Sequence, residues 1–199
     1  MSSIKTVNPA TNQVEKEYPV MTDQQIDLIL SDADKAFQSW KKTSFAERAK
    51  LLHKVASILR ERKEELGKLC SIEMGKLHRE GIGEVELSAN IFDYYADNGE
   101  KFLADAPLDT PQGKAFLSYE PIGVLLSVQP WNFPFYQVAR FAAPNIMVGN
   151  VVLVKHASIV PQCAIAIEDL FKEANAPAGV YTNLLISGKR ASALVADNR

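Results

Sequence analysis

The sequence has few of the residues that build disulfide frameworks or metal centres. Two cysteines and three histidines occur in 199 residues. Neither the number nor the spacing of Cys70 and Cys163 suits a zinc site, so no metal is predicted. Both cysteines fall in helical stretches, which favours buried thiols. A reactive Cys163 would require Lys155 or His156 close by to make its surroundings electropositive.

An excess of charge of one sign is also lacking, and so are long apolar runs. The formal net charge is -2, which gives no basic field for nucleic acid or anionic lipid. No apolar run approaches the roughly 20 residues that span a bilayer. The sequence therefore predicts neither a nucleic-acid nor a membrane partner. Residues 1–5 lack the apolar core of a secretory signal, and we expect a cytoplasmic protein.

The glycine fingerprint GxGxxG is absent, yet a strand–helix–strand unit is present. Residues 124–128 form a nearly continuous apolar run, which predicts a strand buried on both faces. Pro134 suits the first position of a helix, which would run to Gly149. Residues 151–154 predict a second strand that ends at Lys155.

The two strands should end at the same edge of one sheet. A parallel crossover is almost always right-handed, so the loops at Trp131 and Lys155 open at the carboxyl edge, where parallel sheets bind ligands. The pattern repeats with a helix over 161–174 and a strand over 182–186. The predicted fold class is α/β, with a parallel sheet and flanking helices.

The first half of the chain is predicted to be helical. Thr22 and Ser44 each begin a capping box, and each should start a helix. A third helix is expected over residues 83–102. Its acidic side chains are interpreted as a solvated face: Glu84, Glu86 and Asp93.

Residues 104–121 differ in composition, with prolines and a glycine followed by a strand pattern over 114–119. An exposed strand edge invites pairing with another chain. This segment is therefore the best candidate for a subunit contact, and the alternative is an ordinary surface ribbon.

Three motifs together closely resemble the NAD(P)-dependent aldehyde dehydrogenase superfamily. They are EPIGV at 120–124, PWNFP at 130–134 and GNVVLVK at 149–155. The resemblance covers essentially the whole chain, and it implies an amino-terminal fragment of a Rossmann-like fold. It implies that residues 1–103 belong to the cofactor-binding domain, that 104–121 form the oligomerisation arm of a homo-oligomer, and that 122–199 form truncated dinucleotide-binding units. The catalytic cysteine and the base glutamate would lie beyond Arg199, so no residue here is assigned to either role.

The resemblance also implies site residues. Asn132 would donate its side-chain N–H to an oxyanion; the alternative is that it caps the helix near Pro134. Lys155 would bind the ribose hydroxyls of NAD or NADP, and Pro130 and Trp131 would form the adjoining cofactor wall.

Two further residues bear on specificity. Ser158 stands where members preferring NAD often have a glutamate, so a 2′-phosphate would not be repelled and the choice between NAD and NADP stays open. Arg140 resembles the arginine with which succinate-semialdehyde dehydrogenases bind the far carboxylate; the alternative is a salt bridge unrelated to substrate.

The resulting hypothesis is the cofactor-binding portion of an enzyme that oxidises succinate semialdehyde to succinate. Two alternatives remain: a stand-alone nucleotide-binding module or inactive remnant, and a structural partner that binds no cofactor.

Overall fold

The structure, a computed structural model, describes residues 3–197. The outermost residues of the predicted ranges 1–103 and 122–199 thus lie outside the described residues. The strands are β1 Ser3–Val7, β2 Val14–Pro19, β3 Ala106–Leu108, β4 Ala115–Leu117, β5 Val124–Gln129, β6 Val151–His156 and β7 Tyr181–Asn183. The helices are α1 Asp23–Trp40, α2 Phe45–Glu61, α3 Lys63–Met74, α4 His78–Phe102, α5 Pro134–Val148, α6 Pro161–Glu173 and α7 Gly188–Val195. The α/β class is confirmed.

The central sheet is parallel, with the order β5-β6-β7 among the described residues. All six residues of β6 are buried, as expected for a strand with a neighbour on each side. The expectation of a strand buried on both faces is wrong for β5. Among the described residues this strand pairs with β6 alone, and Val128 is 57% exposed. The third strand covers Tyr181–Asn183 rather than 182–186, because the chain turns toward α7.

The amino-terminal helices begin where their caps predict. Thr22 and Ser44 each form a complete capping box. However, residues 3–19 form an antiparallel β1–β2 hairpin, so the expectation of a helical first hundred residues is wrong there. Helix α4 also begins at His78, five residues before its predicted start.

The segment after α4 forms a second antiparallel hairpin, β3–β4, in which Ala106 faces Leu117. All residues of both strands are exposed. The predicted strand over 114–119 is confirmed, although it is shorter at each end. The hairpin is hereafter called the arm.

The helical part packs against the sheet and its crossover helices. The Trp40 Nε1–H donates to the Ile146 carbonyl of α5 at 3.1 Å, and the Phe171 ring of α6 stacks on Tyr181 of β7 with centroids 4.4 Å apart. Phe92 of α4 meets Phe171 edge to face at 5.9 Å. These contacts join α1 to α5, and they join α4 through α6 to the sheet.

Candidate functional site

The ends of β5 and β6 lie side by side. The register pairs Gln129 with His156, so the loop after each strand opens at the same sheet edge. This confirms the expected proximity of the two loops. Residues 130–133 follow β5 and residues 157–160 follow β6, and each loop leads directly into a helix that begins with proline.

The first loop presents its polar side chain to solvent. Pro130, Trp131, Asn132 and Phe133 are all exposed. Helix α5 takes Phe133 as its N-cap residue, with no side-chain hydrogen bond to the cap. The alternative that Asn132 caps this helix is therefore wrong. Its amide is left available to a ligand at the sheet edge.

Most of the surface of Lys155 is buried. The residue is 7% exposed and lies in register with Val128 of β5. Burial lowers the pKa of its ammonium group, and no carboxylate of residues 3–197 counteracts this effect. The Lys155 ammonium has no protein counter-ion among the described residues, so the position favours a ligand that accepts hydrogen bonds.

His156, the next residue, is neutral. Burial and then the neighbouring charge of Lys155 lower its pKa to about 4. Both ring nitrogens are buried and have no partner among the described residues. Burial raises the pKa of the Cys163 thiol well above its usual value, and the nearby Cys70 adds to this. The prediction that both cysteines are buried is confirmed.

Ser158 and Arg140 are both exposed. Ser158 lies in the turn after β6, three residues beyond Lys155. The Arg140 guanidinium lies 5.3 Å from the centroid of the Tyr136 ring, which confirms that these two residues share a face of α5. Among the described residues, Arg140 makes this contact with an aromatic ring and forms no ion pair.

Glu84 contradicts the interpretation of a solvated acidic face on α4. It is 4% exposed, and its Oε1 accepts the backbone N–H groups of Phe135 at 2.9 Å and Tyr136 at 3.1 Å. Its Oε2 accepts from the Lys76 ammonium. A buried carboxylate is tolerated when it is paired and hydrogen-bonded, and Glu84 has both kinds of partner. Glu86 and Asp93, by contrast, pair with Arg60 nearer the surface.

Glu73 repeats this arrangement at the second loop. Its carboxylate accepts from the backbone amides of Gln162 and Cys163, each at 2.8 Å, and from the Thr6 hydroxyl at 2.5 Å. Burial raises the pKa of Glu73, whereas these hydrogen bonds oppose the rise. The carboxylate therefore joins α3 and β1 to the beginning of α6.

No group of three or more metal-ligating side chains occurs in residues 3–197. No helix in this part of the chain is both long and apolar enough to cross a membrane.

The family model described as "Aldehyde dehydrogenase family" matches residues 1–199. The chain belongs to the aldehyde dehydrogenase family. Among curated relatives of this aldehyde dehydrogenase chain is the succinate-semialdehyde dehydrogenase [NADP(+)] of Deinococcus radiodurans, 45% identical over 91% of this chain and 38% of the relative. The probable succinate-semialdehyde dehydrogenase [NADP(+)] of Synechocystis is 46% identical over 99% of this chain and 43% of its own length.

The fold of this family member agrees with solved structures. The succinic semialdehyde dehydrogenase of Streptococcus pyogenes, solved in complex with NADP+, matches with a TM-score of 0.95 and 44% identity over 98% of this chain and 43% of that chain. The chain thus spans less than half the length of the relatives it matches.

The two glutamates of this aldehyde dehydrogenase chain are the site features that sequence reasoning missed. A signal was available. Both helices begin with proline after Phe133 or Val160, and neither of those residues can cap a helix with its side chain. An acceptor from elsewhere in the fold was therefore needed, and Glu84 stands on the buried face of α4 with Gly81 and Ser88.

Proposed function

We propose that this chain is the cofactor-binding portion of an NAD(P)-dependent aldehyde dehydrogenase that oxidises succinate semialdehyde to succinate. The observation that carries the proposal is the meeting of the Asn132 and Lys155 loops at one edge of the parallel sheet. The activities of the related succinate-semialdehyde dehydrogenases support the substrate. The proposal includes a cytoplasmic location. It includes no catalysis by this chain alone, because Cys70 and Cys163 are buried and unsuited to act as nucleophiles.

Asn132 acts on the reacting carbonyl in this proposal. Attack of a nucleophile on the aldehyde carbon places a negative charge on the carbonyl oxygen. The exposed amide of Asn132 donates an N–H to that oxygen. Because the amide is neutral, holding it at the site costs little free energy before the charge develops. A nicotinamide cofactor bound at this sheet edge would supply the acceptor for the hydride that leaves the same carbon. Loss of one such donor typically lowers the rate by about 10²–10³-fold.

Lys155 and its neighbours bind the cofactor. The Lys155 ammonium donates to ribose hydroxyl groups, which satisfy a cation that has no protein carboxylate partner among the described residues. Pro130 and Trp131 form a wall beside it from the neighbouring strand. Ser158 offers no charge against a 2′-phosphate, so both NAD and NADP fit, and the cofactors named for the relatives favour NADP.

Arg140 selects the substrate. It is exposed on α5, about two turns from the Asn132 loop that precedes this helix. Its guanidinium forms no ion pair among the described residues. A carboxylate at the far end of a short aldehyde would form a bidentate pair with it.

The division of labour along the chain belongs to the same proposal. Residues 1–103 support the cofactor-binding domain, residues 122–199 supply its βαβ units, and the arm within 104–121 joins copies of the protein. Full exposure of both arm strands supports a subunit contact there.

Cofactor titration tests the proposal on the chain itself. We expect NADP+ to bind the wild-type chain and the Lys155→Met variant to bind about tenfold more weakly or worse, because charged hydrogen bonds to the ribose are lost. Lys172→Met removes an exposed lysine that pairs with Glu168 and serves as the matched control. Equal affinity of the wild type and Lys155→Met would contradict the cofactor role.

Substrate choice requires the intact dehydrogenase. We expect Arg140→Gln to raise KM for succinate semialdehyde about tenfold or more, since a charged pair is lost. Butanal, the four-carbon aldehyde without a carboxylate, should show no such rise. A parallel rise for both aldehydes would contradict recognition of the carboxylate by Arg140.

A further inference from the structure

Helices α5 and α6 start beside the candidate site without caps of their own. Each has proline in its first turn, and neither Phe133 nor Val160 makes a side-chain cap bond. The first amides of a helix need acceptors, and here the acceptors are Glu84 and Glu73. Both come from the amino-terminal helices, which are distant in sequence from α5 and α6.

The Glu84 carboxylate divides its two oxygens between α5 and a lysine. Oε1 accepts from Phe135 and Tyr136, and Oε2 accepts from Lys76. The Glu84 and Lys76 side chains are 1% and 10% exposed. The Lys76 Nζ also lies 3.9 Å from the centroid of the Phe133 ring.

These contacts fix Phe133, the residue that follows Asn132, both at its ring and at the backbone after it. The Phe133 ring is held by the Lys76 cation, and the amides after Pro134 are held by Glu84. Asn132 makes no side-chain cap bond of its own and lies directly before this fixed residue. A negative charge at the start of α5 is also favoured by the helix dipole.

We infer that Glu84, acting with Lys76, is a positioning residue that fixes Asn132 and Trp131 at the sheet edge through the first turn of α5. The inference rests on the proposed function for the role of Asn132, while the positioning itself is a property of this fold. Glu73 does the same for α6, where it fixes the loop that follows Lys155.

The test compares Glu84→Ala with Glu73→Ala in the full chain by NMR. In Glu84→Ala we expect amide hydrogen exchange at Phe135 and Tyr136 to quicken about tenfold or more, because charge-assisted bonds are lost. The Asn132 side-chain amide and the Trp131 indole N–H should shift with them.

The matched control reverses the pattern. In Glu73→Ala the amides of Gln162 and Cys163 should quicken, while the signals of Asn132 and Trp131 stay in place. Should Glu84→Ala fail to fold, Glu84→Gln decides instead. It keeps a carbonyl oxygen for the helix but leaves Lys76 facing a donor, so the Asn132 signal should still shift.

Three results separate this inference from the proposed function. Unchanged Asn132 and Trp131 signals in the Glu84 variants would overturn the positioning role, whatever the cofactor does. Equal shifts in Glu73→Ala would also overturn it, since general loosening would then explain both. Absence of NADP+ binding by the wild type, with the expected exchange pattern intact, would remove the proposed function and leave the positioning role standing. In the intact dehydrogenase we expect Glu84→Gln to lower kcat through Asn132 and to raise KM for NADP+ through Trp131, which belongs to the proposed cofactor wall.

Discussion

At the scale of single residues, His156 is a titratable group that the fold holds in its neutral form. It is 5% exposed and follows buried Lys155 on β6. Burial first and the Lys155 charge second lower its pKa from 6.5 to about 4. On acidification, the folded protein therefore binds a proton at this ring at a lower pH than the unfolded chain does.

The sign of the pH effect follows from that difference. Above pH 6.5 both states are neutral at this ring and its stabilising effect is complete. As the pH falls from 6.5 to about 4 the unfolded chain gains the proton first, and we expect a loss on the order of 3 kcal/mol. The unfolding free energy of His156→Leu, measured with urea from pH 6.5 to about 4, should not show this part of the loss. His78→Leu, at an exposed position, is the control, and parallel curves for wild type and His156→Leu would refute the assignment.

Ser158 offers a second test at residue scale, on cofactor choice. In Ser158→Glu a carboxylate would face the ribose at the position proposed for the 2′-phosphate, and like charges repel. We expect NADP+ affinity to fall about tenfold or more and NAD+ affinity to change little, as measured by calorimetric titration. Ser158→Gln has similar size without the charge and should affect neither. Equal weakening of both cofactors by Ser158→Glu would contradict this placement.

At the scale of elements, local signals in the sequence predict local structure well. The capping boxes at Thr22 and Ser44 and the proline starts of α5 and α6 all rest on contacts within a few residues, and the structure confirms them. The proximity of the loops after β5 and β6 was also predictable, because handedness constrains a parallel crossover.

Features that depend on distant partners were not predictable in the same way. Glu84 looks like any surface glutamate on α4, and only the amides of α5, some fifty residues later, explain its burial. The burial of β5 depends on how many neighbours it has. The β1–β2 hairpin has little local signal, since all six residues of β2 are at least partly exposed.

The crossing of α3 and α4 gives a prediction at this scale. A Cβ on Gly81 would lie 2.7 Å from the Gly67 carbonyl oxygen, so the two backbones are in direct contact. We expect Gly81→Ala to cost about 1–3 kcal/mol of unfolding free energy, because backbone atoms must move apart. Gly83→Ala, two residues later with nothing within 4 Å, should instead stabilise α4 by about 0.5–1 kcal/mol. Chemical denaturation measures both, and a shift of both variants in the same direction would refute the close crossing.

At the scale of the whole molecule, β5 and the arm are two of the places that expose large apolar side chains. Val128 on the outer strand β5 and Ile122 before it are 57% and 82% exposed. The arm exposes Leu108, Phe116 and Leu117 by 54%, 60% and 47%. An isolated two-stranded ribbon is marginally stable at best in water, and its free edges invite pairing with another strand. The proposed association of copies through the arm would cover its apolar surface.

Phe116→Glu tests that association. Phe116 lies in the middle of β4 opposite Pro107, and a charge there should oppose burial against a second copy while leaving the folded chain intact. We expect a lower mass in sedimentation equilibrium and an unfolding free energy within about 0.5 kcal/mol of wild type. Leu28→Glu places the same charge at a 65% exposed apolar position on α1 and should leave the mass unchanged. If Phe116→Glu keeps the wild-type mass, or if Leu28→Glu lowers it equally, copies associate through a surface other than the arm.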